Sequence, residues 1–308
     1  MLLFTEQINS WEEWGNVFCS ISAFAPLVEY IFEREKLPVA KMEKLTPGTN
    51  AVFKVGDYVV KIFAPPRLGE DFGTDVAVEL FGMRWAERQG VPSPKLVAHG
   101  VVEDKYYFEY LVMAYIHGKL LSEVEDSLSD ADKVIIGQQV RAITDQLNRP
   151  CEKFTPIDVM QYALETEDWD KEGFPVSFQR ERLAYLSHFC MTDKEKVYCH
   201  GDLHIENILV DEELGVYIID FADAMYAPAE HEEAYIVSGL FCFDKAYLMG
   251  YYGNYEVNDV VDLCMAWLPI HTWGHATVAA NLKPVDEIVS FDVMRQRLFA
   301  LVAREKEK

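Results

Sequence analysis

Val197-Tyr198-Cys199-His200-Gly201-Asp202-Leu203-His204-Ile205-Glu206-Asn207-Ile208-Leu209-Val210, followed after a turn by Val216-Tyr217-Ile218-Ile219-Asp220-Phe221, is the most constrained pattern in the chain. Apolar residues precede His200, and Ile208 to Val210 follow Asn207. Two short strands would therefore hold a polar loop between them. The Asp211-to-Gly215 turn brings Val216 to Ile219 back as a partner strand and delivers Asp220 beside that loop. Three oxygen-bearing side chains, Asp202, Asn207 and Asp220, are expected to converge. Magnesium prefers hard oxygen ligands and keeps several waters, so one carboxylate and one amide plus phosphate oxygens suffice to hold it. The remaining carboxylate, Asp202, is left to orient a hydroxyl nucleophile and accept its proton.

Upstream of this stretch the chain reads as strand-rich. Residues 10 to 36 read as helix, with Ser10 and Glu13 at capping-box spacing and Pro38 closing the region. A loop from Thr46 to Asn50 leads into strands Ala51–Val55 and Tyr58–Phe63, joined at Gly56-Asp57. Thr74 can cap a helix running to about Gln89, which Gly90 stops. Lys95–His99 and Tyr106–Tyr115 read as further strands. Beyond His117-Gly118 the pattern turns helical, over Ser129–Leu147, Asp158–Glu167 and Phe178–Phe189. It is helical again from Glu233 onward, with breaks at Pro269 and Pro284. The expectation is an α+β chain of two lobes, a β-rich lobe over residues 1–115 with a leading helix and a mostly helical lobe over 116–308.

Two features of the first lobe carry chemical weight. Lys61 sits in Tyr58-Val59-Val60-Lys61-Ile62-Phe63, apolar on both sides, where an ammonium group is costly unless paired. Glu79 on the following helix is the natural partner. Thr46 to Asn50 is by itself an ordinary turn with one glycine, although backbone N–H groups at Gly48, Thr49 and Asn50 could meet phosphate oxygens.

The set His200-Gly201-Asp202-Leu203-His204, Asn207-Ile208-Leu209 and Ile219-Asp220-Phe221 resembles the catalytic and metal loops of the aminoglycoside phosphotransferase/choline kinase family, whose fold is protein-kinase-like. Asp202 and Asn207 stand five positions apart, as in the kinase catalytic loop. The resemblance implies that Asp202 is the catalytic base and that Asn207 and Asp220 bind Mg2+. It makes His200 a scaffold residue and Phe221 a packing residue. It also implies that Lys61, paired with Glu79, reaches the α- and β-phosphates of ATP, with GTP left open. Leu111 to Ile116 resembles the inter-lobe hinge, so adenine would take backbone hydrogen bonds around Met113 to Tyr115. The resemblance covers most of residues 40 to 225 and fades where such enzymes keep their acceptor site.

No long segment with an Ala-Pro-Glu anchor follows Asp220-Phe221, which favours a small acceptor over a peptide. From Val197 through Leu282 the only Lys or Arg is Lys245, while acidic residues are abundant. A cationic, amine-bearing acceptor is therefore expected, with Asp223, Glu230, Glu232 and Trp273 as candidate contacts. The plainer alternative is an acidic solvated face. Tyr251, Tyr252, Tyr255, Trp267, His271 and His275 read as core more readily than as a ligand cage. A protein kinase is the enzymatic rival. A nucleotide-binding pseudokinase is the rival from another class, against which the complete set Lys61, Asp202, Asn207 and Asp220 argues.

The bulk numbers agree. The 308 residues are 50% hydrophobic and 26% charged, ample for a core. The net charge of −23 disfavours a nucleic-acid partner. Six scattered cysteines without metal-ligand spacing suggest a reducing compartment. No signal-like N-terminus and no membrane-length apolar run are present, so a cytoplasmic protein without a membrane partner is expected. Oligomeric state is open.

Overall fold

Ser10 and Ser20 each place a hydroxyl over the first amides of a helix, and that double cap breaks the single helix expected over residues 10–36 in two. The computed structural model describes residues 2–46, 48–66, 75–191 and 194–304. Helix α1 (Trp11–Val17) is capped by Ser10, whose side chain accepts from the Glu13 amide. Helix α2 (Ile21–Arg34) is capped by Ser20, which accepts from Ala23. The two axes differ by 84°. Among the described residues, no single helix is long and apolar enough to cross a membrane.

Two units divide the chain. The first holds Met1–Glu87 and Ser93–His117, and the second holds Arg88–Pro92 and Gly118–Lys308. In the first, strands β1 (Met42–Lys44), β2 (Ala51–Val55), β3 (Tyr58–Ile62), β4 (Leu96–Glu103) and β5 (Tyr107–Ala114) form one sheet in the order β1-β2-β3-β5-β4. Every pairing in it is antiparallel. Gly56, at φ +62°, makes the β2–β3 turn. The sequence reading missed β1, a three-residue edge strand, and ended β4 early at His99. Helix α3 (Asp75–Gln89) follows β3; its expected cap, Thr74, lies outside the described residues.

The core of this unit is aromatic. Trp14, Phe24 and Phe32 of the leading helices pack with Phe53, Phe108 and Tyr110 of the sheet. Each such side chain contributes about 1.5–3 kcal/mol on burial, so the leading helices belong to the sheet's own core. The N-terminal arm is stitched down as well: Asp104 Oδ2 accepts from the amides of Leu3 (2.8 Å) and Phe4 (3.0 Å).

The second unit is mainly helical. It contains β6 (Lys119–Leu120), α4 (Leu121–Val124), α5 (Asp130–Leu147), α6 (Val159–Glu165), α7 (Asp168–Lys171), α8 (Val176–His188), β7 (Val197–Cys199), β8 (Ile208–Val210), β9 (Val216–Ile218), β10 (Met225–Ala227), α9 (Ala229–Tyr235), α10 (Lys245–Tyr252), α11 (Val257–Trp267), α12 (Gly274–Asn281) and α13 (Phe291–Val302). Ser129 and Asp132 form a capping box at the start of α5. A Cβ on Gly137 of α5 would strike the Tyr247 carbonyl, and one on Gly250 of α10 the Val134 carbonyl, so these two helices meet backbone to backbone.

The strands that frame the polar loop do not pair with each other. β7 pairs with β10, while β8 lies between β6 and β9. The β8–β9 hairpin is as the Asp211–Gly215 turn predicts: Asp211 Oδ1 accepts from the Glu213 and Gly215 amides. Helix α9 widens into a π turn over Ile236–Leu240.

Candidate active site

Gly201 sets the path of the polar loop. Its φ is +84°, and a Cβ there would collide with the Asp223 carbonyl. Only glycine meets both demands without strain. One residue earlier, buried His200 donates from Nε2 to the Ile219 carbonyl at 3.0 Å. The Ile219 amide in turn donates to the Asn207 carbonyl at 3.0 Å. With both polar groups of Ile219 fixed, Asp220 is presented beside the loop. Asp220 has φ +63°, a left-handed conformation that Asp tolerates better than most residues. The His200 and Phe221 rings lie 5.1 Å apart.

Asp202 is held from three sides. Its Oδ2 accepts from Asn207 Nδ2 at 3.1 Å and faces His204 Nε2 at 3.2 Å. Its Oδ1 accepts from the Tyr235 hydroxyl at 3.2 Å. Asn207 Nδ2 also donates to the Asp202 carbonyl at 2.8 Å. Both amide hydrogens of Asn207 are thus committed to Asp202, which leaves its Oδ1 as the atom it can offer a cation. The Glu206 amide donates to His204 Nδ1, so the proton on His204 sits on Nε2, toward Asp202. Burial works against charge on His204, but the hydrogen bond and charge of Asp202 outweigh it and raise its pKa.

One residue given another role in the sequence reading, and one missed there, complete this constellation. Glu232, expected to touch the acceptor, is fully buried beneath the loop. Its Oε1 accepts from the Gly201 amide at 3.0 Å, and its Oε2 from Asn148 Nδ2 at 2.5 Å. Burial pushes its pKa up to about 7, opposed by those hydrogen bonds. Tyr235 stands three residues further along α9, on the same helix face. Burial, then the charge of Asp202, holds its phenol protonated well above its usual range. Behind it the Tyr235 ring stacks on His271 at 4.5 Å, and His271 stacks on His231 at 4.3 Å. Burial lowers the pKa of His231 to about 3 and holds that of His271 well below its usual value, so this stack is neutral. The available signal was the i, i+3 spacing of Glu232 and Tyr235 in the helix after Pro228.

A cavity of about 360 Å³ opens in front of Asp202. Tyr235, Trp273, Ala276, Thr277, Ala280 and Asn281 form much of its wall. Of the four expected acceptor contacts, Trp273 lines this cavity. Asp223 is exposed and outside its lining. Glu230 instead pairs with Lys194 at 2.7 Å, where salt and solvent reach it.

In the first unit, Lys61 Nζ lies 2.7 Å from Glu79 Oε2, with side-chain exposures of 6% and 2%, so neither charge is left alone in the core. Loop residues Gly48 to Asn50 are anchored from below: the Thr49 carbonyl accepts from Trp14 Nε1 at 2.8 Å, and Asn50 Oδ1 accepts from the Ala64 amide at 3.3 Å. Met113 is buried opposite Val59 in the sheet. The Tyr115 amide donates to the Asp57 carbonyl at 2.8 Å. That N–H is therefore spent and is not the donor expected for adenine.

Among the described residues, no three His, Cys, Asp or Glu side chains gather as a metal cage. A hard cation would instead take Asn207 Oδ1 and the Asp220 carboxylate and draw its other ligands from phosphate and water, a donor set that suits Mg2+.

The phosphotransferase enzyme family model matches residues 46–265. The chain belongs to this family. Solved structures with similar folds include the GDP and kanamycin complex of APH(2")-IIia, at 17% identity and TM-score 0.58, covering 89% of this chain and 97% of that one. A thermostable mutant of aminoglycoside phosphotransferase APH(4)-Ia in its apo form matches at 15% identity and TM-score 0.55, covering 89% and 97%. The streptomycin-ATP-APH(2")-IIa ternary complex matches at 15% and 0.53, covering 88% and 98%. No curated protein matches the chain. The family member thus has the α+β, protein-kinase-like fold of aminoglycoside phosphotransferases, with a sheet-rich first unit and a helical second one.

Proposed function

We propose that this phosphotransferase is a Mg2+-dependent kinase that transfers the γ-phosphoryl group of ATP to a hydroxyl of a small molecule. The observation that carries the reading is the Asp202 carboxylate, oriented by Asn207, His204 and Tyr235 at the edge of a cavity of small-molecule size. Asp202 positions the acceptor hydroxyl and takes its proton as the oxygen bonds to the γ-phosphorus and the bond to the leaving ADP breaks. Asn207 and Asp220 hold the metal, which neutralises charge on the phosphate oxygens when bound. Lys61, steadied by Glu79, takes phosphate oxygens, and the Gly48–Asn50 amides are further phosphate contacts. Met113 and the rest of its strand end supply the adenine platform. The nucleotides named in the structures of similar fold, GDP and ATP, support a nucleoside triphosphate donor.

The test is ADP release from Mg-ATP across a panel of hydroxylated acceptors, with Asp202→Asn as control. Acceptor-dependent turnover that the substitution abolishes, with Mg-ATP binding retained, is the expected result. Full activity in Asp202→Asn removes the base assignment, and absence of Mg-ATP binding in the wild type removes the kinase reading.

A further inference from the structure

The sequence-level expectation of a cationic acceptor rests on the acidic residues between Val197 and Leu282, and the second unit disposes of those residues elsewhere. Glu232 is sealed under the loop, Glu230 is neutralised by Lys194, and Asp223, whose charge is felt at Tyr235, is outside the cavity lining. Among the described residues on the cavity wall, Asp202 is the one carboxylate, and neither Lys nor Arg is present. The Tyr235 ring has one face covered by a neutral His271, so that face is closed to a cation.

Trp273 lines the cavity with its ring, its Nε1 being sealed from solvent. Asn281 spends both amide hydrogens on the Ser238 and Thr277 carbonyls, at 3.1 and 2.9 Å, and keeps an oxygen that accepts from any N–H or O–H donor. Ala276 and Ala280 supply apolar wall. Moving an ammonium group from water to such a wall carries a desolvation cost that one carboxylate, itself occupied in proton transfer, does not offset.

We infer that the acceptor is an uncharged, hydroxyl-bearing small molecule with an apolar face, and not the cationic, amine-bearing molecule that the acidity of the chain suggests. The inference rests on the phosphotransferase reading of the site, and it is tested in two ways that fail separately.

The charge at the cavity can be read without knowing the acceptor, because the exposed Cys242 lines it, with Glu125, Asp244 and Lys133 also acting on the thiol, and Cys190 is an exposed thiol outside it. In Asp202→Asn protein, which removes the charge of the base itself, each thiol is modified with neutral methyl methanethiosulfonate and with its trimethylammonium-ethyl analogue. Rates are resolved by mass spectrometry. The cation-to-neutral rate ratio at Cys242 is expected within about 5-fold of that at Cys190, and a larger excess at Cys242 overturns the inference. The wild-type enzyme with Mg-ATP is then offered matched pairs differing in charge, N-acetylglucosamine with glucosamine and 3,3-dimethylbutan-1-ol with choline. A kcat/KM at least about 10-fold higher for the neutral member is expected, and preference for the charged member overturns the inference while leaving the kinase reading intact. Failure to bind Mg-ATP, beside a neutral Cys242 result, overturns the kinase reading and leaves the cavity's chemistry as inferred.

Discussion

The loop from His200 to Asp220 and the wall from Tyr235 to Asn281 face the same cavity and are built in opposite ways. In the loop, side chains and backbone are tied to each other: Asn207 to Asp202, His200 to Ile219, Gly201 to Glu232. In the wall, Trp273, Ala276 and Ala280 offer the cavity mainly carbon. Groups that act on every substrate gain from being fixed before the substrate arrives, since no reorganisation is then needed in the transition state. Groups that recognise one substrate match its shape and apolar surface instead. The contrast separates chemistry from recognition within one unit of the fold.

The sharpest way to break the contrast is Asp202→Asn, expected to lower kcat by roughly 10³-fold with Mg-ATP affinity unchanged. A comparable loss from a wall substitution would erase the distinction. Next is Glu232→Gln, which probes the buried support of the loop. Its carboxyl has a pKa of about 7 in the fold, above its unfolded value, so the folded state binds more protons and wild-type stability falls as pH rises between the two values. From about pH 5 to about pH 8 the wild type should lose up to about 3 kcal/mol relative to Glu232→Gln, read from denaturant midpoints. A gap that does not vary with pH would mean the carboxyl does not titrate there.

Tyr235 joins the two regions, and its substitution sharpens the comparison. Tyr235→Phe removes one hydrogen bond to the Asp202 carboxylate and should lower kcat about 10-fold without changing the nucleotide KM. A change in nucleotide KM alone would place Tyr235 outside the chemistry. The smallest effect is expected for Trp273→Leu, which removes the aromatic ring that lines the cavity. It should raise the acceptor KM about 5-fold at constant kcat. If kcat fell instead, Trp273 would belong with the loop.

The legibility of these regions in the sequence follows the same line. Asp202, Asn207 and Asp220 could be brought together on paper because a tight turn at Asp211–Gly215 forces β8 and β9 into a hairpin, a local event. The wall could not. Tyr235 reaches Asp202 across 33 residues, and Asn281 reaches Ser238 across 43. No periodicity encodes such meetings. Charge misled for a related reason, because a count of carboxylates carries no direction. Glu230 and Glu232 are two residues apart and point, respectively, to a surface lysine and to a buried amide. The break between α1 and α2 was missed because the apolar spacing continues through it, while the Ser20 cap that causes it is a single side chain.

The N-terminal arm carries a consequence for the order in which the chain can fold during synthesis. Leu3 and Phe4 find their partner in Asp104, and Lys105 reaches back to the Thr5 and Glu6 carbonyls. The aromatic face of α1 and α2 is completed by Phe108 and Tyr110. The segment over residues 3–34 must therefore wait, its apolar face uncovered, until about a hundred residues have been made. That interval is the stretch of biosynthesis in which a chaperone would find the most to hold.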